Sequence, residues 1–330
     1  MTKRNISKLL ICGGGFKFFY LYGAIKYLQE INILQNITEY IGVSAGGLLC
    51  TLFSIGYTPK DIELFILEFN FEKLLDPHLD CLLEKKGLDN GEIKKVAIQQ
   101  FLMKKDIDPE ITFKQLYELT NKKINFIAAN LTFNKLEILN YETYPDMEVW
   151  KGLLITTALP FLYEPIHYNE QYLVDGGIFD NYPIQLFNDD SIIGINMIND
   201  INNIDLNIDF LNYCTKMIEL TYNWHVTHKI EMYKKYTIEI KTHNALELIN
   251  TEITHEERIK RIDHGYECAV QYFIDNKQDS PETTEKPEEL EEHEEPEEPE
   301  KLEEPEKPEE ITNNIDEKLY AFNMGIDYII

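Results

Sequence analysis

The stretch Gly42-Val43-Ser44-Ala45-Gly46 sets a serine between two glycines, where a short apolar run gives way to a segment of small and apolar residues. A serine hydroxyl is a weak nucleophile. It attacks a carbonyl when a base takes its proton and hydrogen-bond donors receive the developing negative charge. A strand that ends in GxSxG and turns straight into a helix projects the hydroxyl from the strand end, and the helix N-terminus favours negative charge there. Glycines at both flanks admit a turn in which larger side chains would collide. The competing reading is a serine that only caps the helix; the strand–turn–helix context favours the nucleophile.

A base must follow. The eight histidines (His78, His167, His225, His228, His243, His255, His264 and His293) lie in plain polar contexts. His225 and His228 are three apart on a helical stretch but have no obvious third ligand, so all eight read as surface residues. An α/β-hydrolase triad, in the order Ser, acid, His, would also place several strands before its nucleophile, and Ser44 comes too early for that. A second polar residue flanked by glycine stands in Tyr172-Leu173-Val174-Asp175-Gly176-Gly177. It places a carboxylate at the end of an apolar run, where glycines let a neighbouring backbone come close. Asp-Gly is also a common turn dipeptide, and on its residues alone Asp175 reads as part of an ordinary turn.

A third motif precedes both. Gly13-Gly14-Gly15-Phe16-Lys17, continuing to Gly23, joins a short apolar run to a helical stretch. Such a loop holds a phosphate, holds an oxyanion, or turns a corner. The dinucleotide fingerprint fails because Phe18 stands where the third glycine belongs, and no GxxxxGK[ST] phosphate loop is present. No calcium loop of the EF-hand type appears, and no metal or cofactor is expected.

Taken in order, the glycine loop, the elbow and the Asp-Gly-Gly resemble the patatin-like phospholipases. The intervening INFIAANLTFNKLEILNYETYPDMEVWKGLLITTALPFLYEPI is similar to that family's strand, hairpin and helix. The likeness runs from about Lys8 to Met197. It implies a three-layer α/β fold with a central, mostly parallel sheet flanked by helices, and a Ser–Asp dyad without histidine. Ser44 would be nucleophile, Asp175 general base, and the backbone N–H groups of Gly13 to Lys17 the oxyanion hole. Lys17 would be a cation near the site, favouring an anionic head group or the oxyanion. Asn181 and Pro183 would shape the turn after Gly177. The implied activity is phospholipase A-type acyl hydrolysis of lipids at a membrane or micelle surface. The alternative is a lipid-binding or partner-binding protein that keeps the fold without catalysis. One departure stands out: Phe18 occupies a position that is most often glycine. A positive φ there would strain the loop; an ordinary helix start would let the ring pack into the core or an acyl channel.

Short apolar runs must carry these motifs. Lys8–Cys12, Tyr40–Val43, Lys123–Leu131, Leu136–Asn140 and Ser191–Met197 read as strands, and Ile166–Tyr168 with Tyr172–Val174 as a hairpin. Tyr20–Gln29, Ala45–Ile55, Met147–Thr157, Ile204–Lys235 and Glu256–Ile274 read as helices, as does most of Leu74–Thr120. Thr58-Pro59 starts another, and Thr112 with Gln115 fits a capping box. Strands alternating with helices imply α/β layering.

The formal charge of −27 argues against nucleic acid as a partner. About half of it lies in Asp279–Glu310, with 17 acidic residues and 3 lysines. That Pro/Glu-rich stretch reads as a disordered linker between a domain at 1–278 and a short apolar segment at 311–330. The tail would dock an activator protein or inhibit the enzyme, rather than bind an anionic membrane directly. The five cysteines are scattered and read as reduced thiols. Leu9–Cys12 is too short for a signal-peptide core and no run approaches a membrane span, so the expected location is cytoplasmic with peripheral membrane contact.

Overall fold

The computed structural model describes residues 4–75, 77–199, 209–242 and 248–276. The expected linker 279–310 and the segment 311–330 lie outside them, as do His243, His293 and the side chains of His225 and His228.

The strands are β1 (Lys8–Ile11), β2 (Glu39–Val43), β3 (Gly87–Asp89), β4 (Lys123–Asn130), β5 (Lys135–Leu139), β6 (Phe161–Tyr163), β7 (Ile166–Tyr168), β8 (Gln171–Asp175), β9 (Ile192–Asn199) and β10 (Thr237–Thr242). The helices are α1 (Phe18–Glu30), α2 (Ala45–Ser54), α3 (Pro59–Glu68), α4 (Leu79–Lys85), α5 (Glu92–Met103), α6 (Phe113–Thr120), α7 (Val149–Thr156), α8 (Gly177–Asp180), α9 (Phe210–Tyr233) and α10 (His255–Asp275).

The main sheet runs β10-β9-β1-β2-β4-β8-β7, with β5 paired to β4. From β10 to β4 every pairing is parallel; β8, β7 and β5 are antiparallel additions. Strands in such a sheet are covered on both faces and read as continuous apolar runs. Leu9, Leu10, Ile11, Ile41, Phe126, Ile127, Ile193 and Ile195 are fully buried. The faces alternate by residue. Gly42 and Phe126 meet the helix α2 at Gly47, and Gly152 of α7 meets Phe126, whereas Gly194 on the other face meets Tyr182, just past α8. The expected three-layer α/β fold is therefore the one found.

Three strands escape the sequence reading. Thr237-Ile238-Glu239-Ile240-Lys241-Thr242 has a clear alternation, but it adjoins a long helical pattern with no turn signal between them. The strands β3 and β6 have three residues each and, among the described residues, pair only with one another, too short for any period to show.

Local starts follow the expected chemistry. Thr58 accepts the Asp61 N–H at 3.2 Å while the Asp61 carboxylate accepts the Thr58 N–H at 2.9 Å, a closed capping box ahead of Pro59. Thr112 and Gln115 do the same for α6. Thr58→Ala removes one such cap, far from the sheet edge that holds Ser44. The expected loss is ~1 kcal/mol, read as a drop of about 2–4 °C in melting temperature, with activity unchanged.

Candidate active site

Ser44 closes β2 and opens α2 with φ 51° and ψ −125°. A non-glycine residue in that region stores of order 1–3 kcal/mol, and persists only where its surroundings hold it. Two features do so. The Ser44 N–H donates to Thr156 Oγ1 at 3.0 Å, and that hydroxyl donates onward to the Ile127 carbonyl at 2.6 Å. At Gly46, an added Cβ would lie 2.4 Å from the Ile11 carbonyl oxygen, so the start of α2 sits directly on the end of β1. Gly42 faces Gly47 in equally close contact.

Asp175 reaches the serine through strand register. Strand β4 pairs with β2 at Lys123 to Ile127, and with β8 at Ala128 to Asn130. Strand β5 spans Phe126 to Asn130 and overlaps both, so it must occupy the opposite edge. The ends of β2 and β8 therefore meet head to head along one edge of β4. Val43 lies beside Ile127 and Asp175 beside Ala128, which brings the next residue, Ser44, to the carboxylate.

Asp175 is fully buried. Its Oδ1 accepts the Gly177 N–H at 2.8 Å. The Ser44 hydroxyl faces the carboxylate and favours its ionised form, and Oδ2 accepts no hydrogen bond among the described residues. Burial dominates and pushes the carboxyl from an ordinary 3.8 up to about 6, against the pull of Ser44, the Gly177 N–H and Lys94. Gly176 packs on the Ile127 carbonyl.

The glycine loop lies alongside. A Cβ on Gly13 would stand 3.0 Å from Ser44 Cβ. The Gly13 carbonyl accepts Asn181 Nδ2 at 3.0 Å, so Asn181 ties the loop to the turn after Asp175. The loop closes with Lys17 N–H on the Gly14 carbonyl at 2.9 Å. The Gly14 and Gly15 N–H groups take part in none of these bonds. The left-handed residue is Gly15, with φ +49°. Phe18 is an ordinary helix residue with φ −59°, stacked on Phe19 at 4.4 Å and edge-on to Phe71 at 5.3 Å. No strain arises at Phe18, and its ring packs in the core and the cleft wall.

Lys17 departs from expectation. It is buried, and its ammonium donates to Asn199 Oδ1 at 2.6 Å and lies 3.8 Å from Glu219. That pairing commits its charge to β9 and α9, so it does not line the cleft. The cation that does is Lys94 of α5.

The cleft over Ser44 encloses about 130 Å³ and is walled by Phe16, Phe18, Leu48, Phe71, Leu159 and Leu162 among others. Arg258 supports this wall from behind. Its guanidinium donates to the carbonyls of Ile66, Leu67 and Phe69 and lies 5.2 Å from the Phe71 ring.

A family model described as patatin-like phospholipase matches residues 9–188. The chain belongs to the patatin-like phospholipase family. Among curated proteins it is 36% identical over 184 residues to "Probable lipid hydrolase 463L" of Invertebrate iridescent virus 6. That match covers 54% of this chain and 62% of the relative. It is 25% identical over 285 residues to "Uncharacterized protein R571" of Acanthamoeba polyphaga mimivirus, covering 82% of this chain and 93% of the relative. In fold it is similar to VipD from Legionella pneumophila, with a TM-score of 0.58 at 19% identity, over 82% of this chain and 67% of that one. The type III effector ExoU aligns with a TM-score of 0.53 at 14% identity, over 83% of this chain and 54% of that one. No helix among the described residues is long and apolar enough to cross a membrane.

The Thr156 brace and the lysine in the cleft are absent from the sequence reading. Thr156 looked like the last turn of a helix. Lys94 carried a signal: it shares a helical stripe with Ala97, Ile98 and Phe101, all buried.

Proposed function

We propose that the chain hydrolyses acyl esters of lipids through Ser44 and Asp175. The observation that carries this reading is Ser44, held at φ 51° on a strand-to-helix turn, facing a buried aspartate at the wall of an apolar cleft. Asp175 accepts the hydroxyl proton as Ser44 Oγ bonds to the ester carbonyl carbon. The resulting oxyanion is received by N–H groups of the glycine loop, where those of Gly14 and Gly15 make no hydrogen bond among the described residues. Collapse expels the alcohol, which takes the proton from Asp175, and leaves an acyl-enzyme. Water then loses a proton to Asp175 as its oxygen bonds to the acyl carbon, and the Ser44 Oγ–carbon bond breaks as Oγ takes that proton back, releasing the fatty acid. The apolar wall suits an acyl chain, and phospholipid in a membrane or micelle is the favoured substrate. Membership of the family and the name of the viral relative support this reading.

A fluorophosphonate probe and a chromogenic acyl ester test it together. Wild-type protein is expected to gain a covalent adduct on the Ser44 peptide and to release chromophore. Ser44→Ala is expected to take no label and to lose at least ~10³-fold in turnover. Equal turnover in the two proteins would sink the assignment. Lipid analysis of membranes exposed to each protein then identifies the substrate. The non-catalytic alternative drew on Phe18 and on the acidic tail; the unstrained backbone at Phe18 removes the first motive, and the tail lies outside the described residues.

A further inference from the structure

Three consecutive residues from the last of α7 onward each hold one polar residue of the site. Thr156 Oγ1 accepts the Ser44 N–H at 3.0 Å. The carbonyl and hydroxyl oxygens of Thr157 accept Lys94 Nζ at 3.2 and 3.3 Å. The Ala158 carbonyl accepts the Asp175 N–H at 3.0 Å. A lysine from α5 is thus fixed to the same tripeptide as the serine and the aspartate. We infer that Lys94 is a positioning residue of this site, a fixed cation that keeps the buried Asp175 carboxylate ionised beside the apolar cleft. The inference rests on the roles given above to Ser44 and Asp175.

The surroundings of Lys94 match that task. Its ammonium lies 3.2 Å from the centre of the Tyr163 ring, a favourable cation–π approach. With two protons on Thr157, the group is aimed rather than free to swing. Asp89 of β3 attracts it most and Asp175 of β8 next, and its field in turn favours the ionised Asp175. The other ionisable groups facing the carboxylate are Ser44 and Tyr222 of α9, while Tyr163 of β6 faces the ammonium. Burial holds both phenols well above their ordinary range, so they stay neutral.

The charge states fit together. Burial lifts Asp175 to about 6 and pulls Lys94 down to about 7. Lys94 therefore still carries most of its charge at the pH where Asp175 takes up its proton, and loses it only as pH rises past about 7. Removing that charge raises the carboxyl further, and a nearby unit charge in a partly screened interior is worth on the order of one pH unit.

Lys94→Met and Lys94→Arg separate this role from packing. The first readout is the rate of Ser44 labelling by a fluorophosphonate across pH 4 to 9. The second is the titration of the Asp175 carboxyl by carbon NMR in protein labelled with ¹³C-aspartate, the signal assigned by its loss in Asp175→Asn. Lys94→Met is expected to move both midpoints up by on the order of one pH unit, with labelling at pH 9 within a few-fold of wild type. Lys94→Arg is expected to restore both midpoints. A Lys94→Met titration that overlays wild type overturns the inference, as does an upward shift that arginine fails to reverse. Should Lys94→Met not fold, Lys94→Gln carries the same comparison. The NMR titration needs no turnover. An unlabelled wild-type serine would refute the hydrolase reading, while the titration would still decide what Lys94 does to Asp175.

Discussion

Asp175→Asn is expected to abolish most acyl-ester turnover and yet to melt at a higher temperature than wild type above pH 7. The first half follows from the proton path. The amide keeps the shape and the Gly177 contact but takes no proton from Ser44, and loss of a positioned base costs ~10²–10⁴-fold. In the wild type, kcat/KM is expected to rise with pH through an apparent value near about 6, the value burial imposes on Asp175. In Asp175→Asn that limb is expected to vanish. A wild-type profile flat from pH 4 to 8 would remove Asp175 as the base.

The second half is a matter of linkage. The folded carboxyl titrates at about 6 against an ordinary 3.8, so between these values the folded state holds more protons than the unfolded one. Stability therefore falls as pH rises through that window and stays low above it. The penalty approaches 3 kcal/mol at about 1.4 kcal/mol per tenfold change. Above pH 7 the neutral amide escapes it, and the variant is expected to melt a few degrees higher. Below pH 4, where both states are protonated, the difference is expected to close. Matched melting curves at pH 4 and pH 8 check this; a variant less stable than wild type at pH 8 would mean that the carboxylate is not penalised.

How much of this was legible beforehand depends on whether each feature is local. The elbow at Ser44 and the turn after Asp175 announce themselves because glycine is needed where backbones touch, and both motifs follow apolar runs. The glycine loop was legible as a loop, but its strained point is Gly15 and not Phe18. That distinction lives in φ, which a pattern of residue types does not carry. Lys17 and Lys94 exchanged roles for a similar reason. A lysine beside glycines looked like the site cation, and Lys94, inside a helical stretch, drew no reading. Burial against Glu219 took the first away, and the apolar stripe of α5 carried the second into the cleft. The meeting of Ser44 with Asp175 depends on β2 and β8 sharing one edge of β4. That is a register between segments far apart in the chain, with no local trace.

Gly46→Ala is the smallest substitution expected to break both the fold and the site. The new Cβ would lie 2.4 Å from the Ile11 carbonyl oxygen and 2.6 Å from that of Cys12. Neither carbonyl can yield easily, because β1 is paired on both sides, to β2 and β9. The Cys12 N–H is further pinned to Ile195 at 3.1 Å. The helix must give way instead, and α2 begins one residue after Ser44. Overpacking of this kind costs ~1–3 kcal/mol, and a nucleophile displaced by ~1 Å loses ~10²-fold in rate. Gly56→Ala separates the two effects. Gly56 has φ +91° and nothing within 4 Å of an added Cβ, so alanine there meets backbone strain alone, ~1 kcal/mol. Both variants are expected to melt below wild type. Only Gly46→Ala is expected to lose activity under conditions where both remain folded, because only there does the added methyl push on the element that aims the serine. Equal activity in the two folded variants would show that α2 can shift without moving Ser44, and that the Thr156 hydrogen bond alone holds the elbow.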